Sequence, residues 1–117
     1  MSTVQTLGGV PVLAAQVNVA DVDAMREMTD WYRARVHSGV IVLGAAIEGR
    51  PQIVAAVTDD LTGHGLHAGK LAGAVAKIVG GGGGGKPTLA QAGGRDSKRL
   101  AEALALVPGL VSEALGL

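Results

Sequence analysis

The chain has 117 residues, which is long enough for one domain with a hydrophobic core, and 48% of them are hydrophobic. It contains no cysteine, which excludes disulfides, thiolate metal ligands and cysteine nucleophiles. The formal net charge is zero, which argues against a generally basic nucleic-acid binder. The apolar run at residues 10–17 is too short to span a bilayer and no signal peptide is visible, so we expect a cytoplasmic protein without a membrane partner.

The first half of the sequence predicts a strand, a helix and a β-hairpin. The continuous apolar run at residues 10–17 is typical of a buried strand. Asp21 is a suitable N-cap for the helix that follows, and Gly39 is expected to end that helix. Two runs rich in β-branched residues, 40–47 and 52–58, flank the turn sequence EGRP and predict a hairpin. The apolar face of the helix recurs at steps of three and four residues, at Val22, Met25, Thr29, Tyr32 and Val36.

The second half predicts helices on both sides of a glycine-rich stretch. After a loop at residues 61–65, residues 66–79 read as a helix with one apolar face. Residues 80–94 begin with six consecutive glycines and are expected to form a glycine-rich loop, in which residues 88–92 can make a short strand. The helix before the loop carries a short basic stripe, formed by His67, Lys70, Ala74 and Lys77.

A last helix completes the predicted order of elements. Asp96 or Ser97 is expected to cap this helix, and Pro108 is expected to stop it. The order β-α-β-β-α-(β)-α then predicts an α/β fold, in which a single small domain has a mixed β-sheet covered by helices.

The charges are distributed unevenly along the chain. Residues 1–63 carry four basic and seven acidic side chains, a net charge of −3, whereas residues 64–117 carry six basic and three acidic ones, a net charge of +3. The glycine run therefore lies in the basic half. This asymmetry is compatible with an anionic partner and also with an ordinary solvated surface.

The glycine run matches two nucleotide-binding patterns without meeting their physical requirements. Residues 80–86 spell G-x-x-x-x-G-K, but a phosphate-binding loop needs a strand before it and a hydroxyl after the lysine. A helix is predicted before the glycines, and Pro87 follows Lys86 with neither a hydroxyl nor an N–H. Six consecutive glycines satisfy almost any glycine pattern, so the matches carry little information.

No catalytic or metal-binding residues are indicated by the other side chains. Asp59, Asp60, His64 and His67 lie close in sequence, but a turn cap and solvated histidines explain this spacing better than a metal site. Ser97 fits a helix cap better than a nucleophile. Trp31 lies off the apolar stripe that contains Tyr32 and can mark an interface.

The whole segment GGGGGGKPTLAQAGG at residues 80–94 is more specific than its glycines. With HAG upstream at residues 67–69 and RDSKRLAEALALV downstream, it resembles the signature of the C-terminal domain of alanyl-tRNA synthetase. In that family a glycine run, a Lys or Arg followed by Pro, and A-Q-A-G-G occur together. The family domain shares its fold with the DHHA1 domain of DHH phosphoesterases, so the resemblance implies a DHHA1-like fold.

The resemblance also implies a function. The family domain is a non-catalytic module that binds the outer corner of tRNA, supports aminoacylation and editing by the parent alanine–tRNA ligase, and often contributes to dimerisation. Residues 1–117 are then one globular C-terminal domain of a larger synthetase. Its partners would be tRNA(Ala), the other domains of the parent and a second copy of the protein. No cofactor is expected in this domain, because ATP, magnesium and zinc serve the parent elsewhere.

The expected RNA contacts are backbone N–H groups and cations. The chain has no Phe and one aromatic pair, so it cannot build the stacked aromatic platform that reads single-stranded bases. Binding should then rely on the shape of the tRNA and on its phosphates. The residues expected to contact tRNA are Lys70, Gly82, Gly83, Gly84, Lys86, Arg95 and Lys98.

Two other functions stay open at this point. The substrate-binding domain of a DHH phosphoesterase would carry G-G-G-H here, where this chain has Lys86 and Pro87 instead of the histidine. A protein–protein dimerisation module, associating through surfaces of small residues, is the second alternative.

Overall fold

A six-stranded mixed sheet lies at the centre of the structure, a computed structural model that describes residues 3–116. The strands lie side by side in the order β1-β2-β3-β4-β6-β5. The elements are β1 Thr3–Leu7, β2 Val10–Gln16, α1 Val22–Arg35, β3 Val40–Ile47, β4 Arg50–Val57, α2 Asp59–Thr62, α3 Ala68–Ile78, β5 Gly82–Gly85, β6 Leu89–Gly93, a 3₁₀ turn Ser97–Arg99, α4 Leu100–Ala105 and α5 Val107–Leu115.

The sheet is antiparallel except where β2 pairs with β3. Helix α1 connects these two parallel strands, as a crossover must. Strands β3 and β4 form the predicted hairpin, with Ile47 paired to Arg50. The turn residues Glu48 and Gly49 both have positive φ, 53° and 80°, which matches the right-handed twist of the flanking strands. The mixed α/β architecture expected from the sequence is confirmed.

Helices cover both faces of the sheet, so the central strands are buried on both sides. Alternate residues of β3 and β4 point to opposite faces. On one face Val42 and Ile53 pack in the cluster that includes residues of α3, α4 and α5, and on the other Leu43 and Val54 pack in the cluster that includes Met25 of α1. Burial on both faces explains why these strands read as continuous apolar runs.

Three element boundaries differ from the sequence-based expectation. Helix α1 ends at Arg35, and Gly39 lies just before β3, where a Cβ atom would come within 3.3 Å of the Pro11 carbonyl oxygen. The short helix α2 occupies the start of the expected loop at 61–65. Pro108 does not stop the last helix but lies in the first turn of α5, where its missing N–H is not needed. Strand β1 was not predicted from the sequence.

The stretch expected as a glycine-rich loop at 80–94 is mostly a β-hairpin. The short strand predicted at 88–92 is present as β6, and it pairs with β4 on one side and β5 on the other. Gly82–Gly85 form β5, the outermost strand on that side of the sheet. The order helix–strand–strand differs from the strand–loop–helix of a phosphate-binding loop, as the sequence had indicated.

Among residues 3–116, no helix combines the length and the apolar character needed to cross a membrane. Helix α1, with 14 residues, carries charged side chains along its outer surface.

The cap of α1 provides a test of the local structure. A carboxylate oxygen of Asp21 accepts a hydrogen bond from Ala24 N at 2.9 Å, as predicted. Asp21→Ala should lower the free energy of unfolding by about 1 kcal/mol, because an N–H at the helix start loses its acceptor. Asp21→Asn keeps the acceptor and should lower it much less. Urea unfolding followed by circular dichroism measures both, and an equal loss in the two variants would contradict the capping role.

Candidate nucleic-acid interface

Helix α3 and strand β5 approach each other closely because glycines on both elements lie at their contact. A Cβ atom at Gly69 would lie 2.9 Å from the Gly85 carbonyl oxygen, and one at Gly73 would lie 3.3 Å from the Gly83 carbonyl oxygen. Glycine on both elements therefore lets the helix lie against the outermost strand. All four residues of β5 nevertheless stay exposed to solvent.

Backbone hydrogen bonds hold the two ends of this contact. At the start of α3, Ala68 N donates to the Pro87 carbonyl oxygen in the β5–β6 turn at 2.8 Å. Beyond its end, Gly81 N donates to the Ala76 carbonyl oxygen at 2.9 Å. His67 caps the helix through Nδ1, which accepts from Lys70 N at 3.2 Å. The hairpin and the helix therefore form one unit.

The glycine run contains residues with different structural roles. Gly80 has a φ of +76° and follows the end of α3, a position that favours glycine. A Cβ at Gly81 would overlap the Gly93 carbonyl oxygen, and those at Gly83 and Gly85 would lie 2.6 and 2.8 Å from the Cα atoms of the opposite strand. These four glycines are thus explained by conformation and packing inside the chain.

Gly82 and Gly84 have no such explanation. A Cβ atom at either position would meet no atom within 4 Å, and both residues are exposed. Packing within the chain therefore does not require glycine at these two positions. Their glycines leave a bare strip of backbone that another molecule can approach to contact distance.

A pocket with two cations adjoins this strip. Lys86 and Arg26 line an open cavity of about 280 Å³ together with Gln91 and Gly84. The lining contains no acidic residue and consists of Arg26, Val54, Gly84, Gly85, Lys86, Leu89, Ala90 and Gln91. Such a pocket can hold a phosphate group between two positive charges. Arg26 was not predicted from the sequence, because only the crossing of α1 over the sheet brings it beside the hairpin.

The four predicted cations lie in two groups. Lys86 and Lys70 lie near the start of α3, because the helix begins at the hydrogen bond to the β5–β6 turn. Arg95 and Lys98 lie near its other end, where Arg95 N donates to the Val79 carbonyl oxygen at 2.8 Å. Helix α3 has 11 residues and is about 16 Å long, and it lies between Lys86 beside its start and Arg95 beyond its end. With the exposed Lys77 between them, these residues form a basic band along α3.

The charges of this band are little compensated inside the chain. In residues 3–116 the ion pairs are Arg33–Asp30 and Arg99–Glu102, and neither includes a cation of the band. The Arg99–Glu102 pair, at 2.6 Å, raises the pKa of Arg99 and lowers that of Glu102 through a hydrogen bond and charge attraction. Within residues 3–116, no cation of the band is therefore part of an ion pair.

Two of the four residues Asp59, Asp60, His64 and His67 accept hydrogen bonds through their side chains. Asp60 accepts a hydrogen bond from the Ser38 hydroxyl, and side-chain hydrogen bonds from Ser38 and Thr58 lower the pKa of its carboxyl group. His67 caps α3. Within residues 3–116 no group of three or more potential ligands is arranged to hold a metal ion.

Comparison with known proteins identifies the family. The model of the DHHA1 domain matches residues 9–113. The chain belongs to the DHHA1 domain family.

The most similar relatives include several alanine–tRNA ligases. The chain is 57% identical to that of Pelotomaculum thermopropionicum over 104 residues and 46% identical to that of Roseiflexus sp. over 116 residues. These alignments cover 89% and 99% of this chain, but 12% and 13% of the relatives. The chain therefore spans about an eighth of the length of the curated relatives it matches.

Solved structures agree on the fold. The C-Ala domain of alanyl-tRNA synthetase from Aquifex aeolicus superposes with a TM-score of 0.81 and 22% identity, covering 98% of this chain and 99% of that one. A member of the s1p family of ribosomal proteins, described as a DHH domain, gives a TM-score of 0.62 at 11% identity and covers 96% of this chain and 28% of its own. At these identities the likeness concerns the fold alone.

The glycine roles can be separated by two neighbouring substitutions. Gly83→Ala should lower the free energy of unfolding by about 1–3 kcal/mol, because its methyl group would collide with the backbone of β6. Gly84→Ala is the matched control and should change it by less than about 0.5 kcal/mol, because its methyl group enters open space. Urea denaturation measures both values. Equal destabilisation would mean that packing is not what requires glycine at Gly83.

Proposed function

We propose that this chain is the C-terminal tRNA-binding module of an alanine–tRNA ligase and contacts the outer corner of tRNA(Ala). The observation that carries the proposal is the 46–57% identity to alanine–tRNA ligases over almost the whole chain. Its partners are then tRNA(Ala) and the other domains of the enzyme, in the cytoplasm. The module contributes no catalytic residue and no cofactor site, since ATP, magnesium and zinc belong to the rest of the enzyme.

The hairpin and α3 supply the surface for this contact. Lys86 and Arg26 attract a phosphate to their pocket, while Gly82 and Gly84 let the RNA backbone approach the strand. Lys70 at one end of α3, and Arg95 and Lys98 at the other, extend the contact to further phosphates. A span of about 16 Å along the helix suits several phosphates of a folded RNA better than one small ligand.

Recognition by this surface depends on shape rather than on base identity. Tyr32 is buried, and Trp31 lies on the outer side of α1, whereas α3 covers the opposite face of the sheet. No aromatic side chain is therefore available beside the basic band to stack on a base. A module that grips the outer corner leaves the acceptor end free for aminoacylation and editing by the parent enzyme.

The fold likeness to a DHH-domain protein supports one alternative, the substrate-binding domain of a DHH phosphoesterase. Such a function requires hydrolysis of short oligonucleotides with Mn²⁺, together with a metal-binding partner domain. Lys86 and Pro87 occupy the place of the histidine in the corresponding glycine motif, which favours binding without hydrolysis.

A tRNA titration tests the proposal. Affinity should fall steeply as salt rises from about 50 to 200 mM, because phosphate neutralisation releases counterions. Changing Lys70, Lys86, Arg95 and Lys98 to Glu should abolish binding, while exchanging each for the other basic residue should preserve it. Lys86→Glu alone should reduce the salt slope by about 0.7–0.9. Binding that ignores salt, or that survives the fourfold charge reversal in a folded chain, would contradict the proposal.

A further inference from the structure

The end of the sheet formed by β6 and β5 is open on the face that α1 covers elsewhere. Val54 of β4 and Leu89 of β6 pack in the cluster around α1, so alternation along the strands assigns Gln91 to the same face. Gln91 is paired with Val54 on one side and with Gly84 on the other. Both Gln91 and Gly84 are exposed, so this part of the face is available to another molecule.

Two glutamine side chains lie on this open face. Gln52 precedes Val54 by two residues on β4 and therefore points to the same side of the sheet as Gln91. Its amide lies over the backbone of β6, since a Cβ atom at Gly93 would be 3.2 Å from its Oε1. Gln52 is paired with Gly93, two residues from Gln91, so the two glutamines are diagonal neighbours about 7–8 Å apart.

The two amides are not used inside the chain. Within residues 3–116, neither Gln52 nor Gln91 takes part in a side-chain hydrogen bond. A glutamine amide offers two N–H donors and a carbonyl oxygen that accepts. The open face therefore holds two groups that can both donate and accept hydrogen bonds.

The position of these amides beside the two cations indicates what they can bind. Arg26 and Lys86 only donate hydrogen bonds, which suits a phosphate, whose oxygens accept them. Gln91 lines the same pocket of about 280 Å³, so a phosphate held there brings its own ribose next to the amide. The ribose 2′-hydroxyl both donates and accepts, as the amide does. The pocket lining contains no aromatic ring on which a base could stack.

We propose that Gln91 and Gln52 bind the 2′-hydroxyl groups of two neighbouring nucleotides and make this surface selective for RNA over DNA. The inference rests on the proposed function, because it takes the phosphate in the pocket to belong to tRNA. Gln91 contacts the ribose next to that phosphate, and Gln52 contacts the ribose that follows along the open face. Gly82 and Gly84 let both sugars come close to the strand, because no side chain stands between them and the backbone.

This contact is independent of the base sequence. Every ribonucleotide carries a 2′-hydroxyl, whereas DNA lacks it at every position. The glutamines therefore distinguish the two nucleic acids without reading a base, and the basic band along α3 binds phosphates that RNA and DNA share.

Paired titrations with two forms of tRNA(Ala) test the inference. One is the all-ribose transcript, and the other carries 2′-deoxynucleotides at the outer corner. The wild-type chain should bind the deoxy form about two- to tenfold more weakly for each hydroxyl contact that is lost. Gln91→Leu removes the amide at similar side-chain size, so it should weaken binding of the all-ribose form by a similar factor and leave binding of the deoxy form unchanged. Gln52→Leu should behave in the same way.

Two further variants serve as controls. Gln5→Leu makes the same chemical change at an exposed glutamine of β1, on the other edge of the sheet, and should alter neither affinity. Lys86→Glu should weaken binding of both RNAs by the same factor, because the phosphates are present in both. Urea unfolding of each variant checks that the fold is retained.

The outcomes separate this inference from the proposed function. A folded Gln91→Leu chain that binds both RNAs more weakly by one common factor would assign the amide to a base or a phosphate and overturn the inference. Unchanged binding in both glutamine variants would overturn it as well, because the amides would then be solvated only. In either case salt-dependent binding of tRNA by the wild-type chain would leave the proposed function standing. A wild-type chain that does not bind the all-ribose transcript would overturn both.

Discussion

The close approach of helix α3 to strand β5 is the contact on which the surface of this domain depends. Gly69 and Gly73 on the helix meet Gly85 and Gly83 on the strand, and any side chain at the tightest of these positions would push the backbones apart. The helix packs against the outermost strand, and all four glycines of that strand stay exposed to solvent. Ordering so many glycines costs conformational entropy, and hydrogen bonds at both ends of the contact act against that cost.

This contact also determines where the charges lie. Docking α3 on the hairpin brings the start of the helix, with Lys70, to the β5–β6 turn, with Lys86. It leaves Arg95 and Lys98 at the other end of the helix, so the basic side chains form a band. Gly82 and Gly84 are free of packing demands and keep the strand surface bare. The hairpin is therefore held by backbone contacts on one side and is exposed to solvent at Gly82 and Gly84.

The two faces of the sheet carry surfaces of different chemistry. The α3 face and the hairpin are basic and lack exposed aromatic rings, which suits phosphates. The outer side of α1 carries the exposed Trp31, with Arg35 over its ring, and also Arg26, which lines the pocket with Lys86. Helices α1 and α3 therefore both place basic residues beside the hairpin, from opposite faces of the sheet.

Helix caps, turn residues and apolar periodicity in the sequence were enough to predict much of the fold. Asp21 capped α1, the β3–β4 hairpin followed its turn residues, and the apolar periodicities identified the buried faces of α1 and α3. The combined glycine motif was sufficient to indicate the DHHA1 family. These features depend on residues close together in the chain, where propensity and periodicity act directly.

Only the tertiary structure decided what depends on residues far apart in sequence. Consecutive glycines have no strand preference, so β5 exists because β6 and α3 hold it. Arg26 reaches the hairpin because α1 crosses the sheet, and the predicted cations separate into two groups because α3 lies between them. The exposure of Trp31, and its position midway between Glu27 and Arg35 on an unburied stripe, follow from how α1 packs on the sheet. Which side of a helix or strand stays open is a property of the packing, and no local pattern contains it.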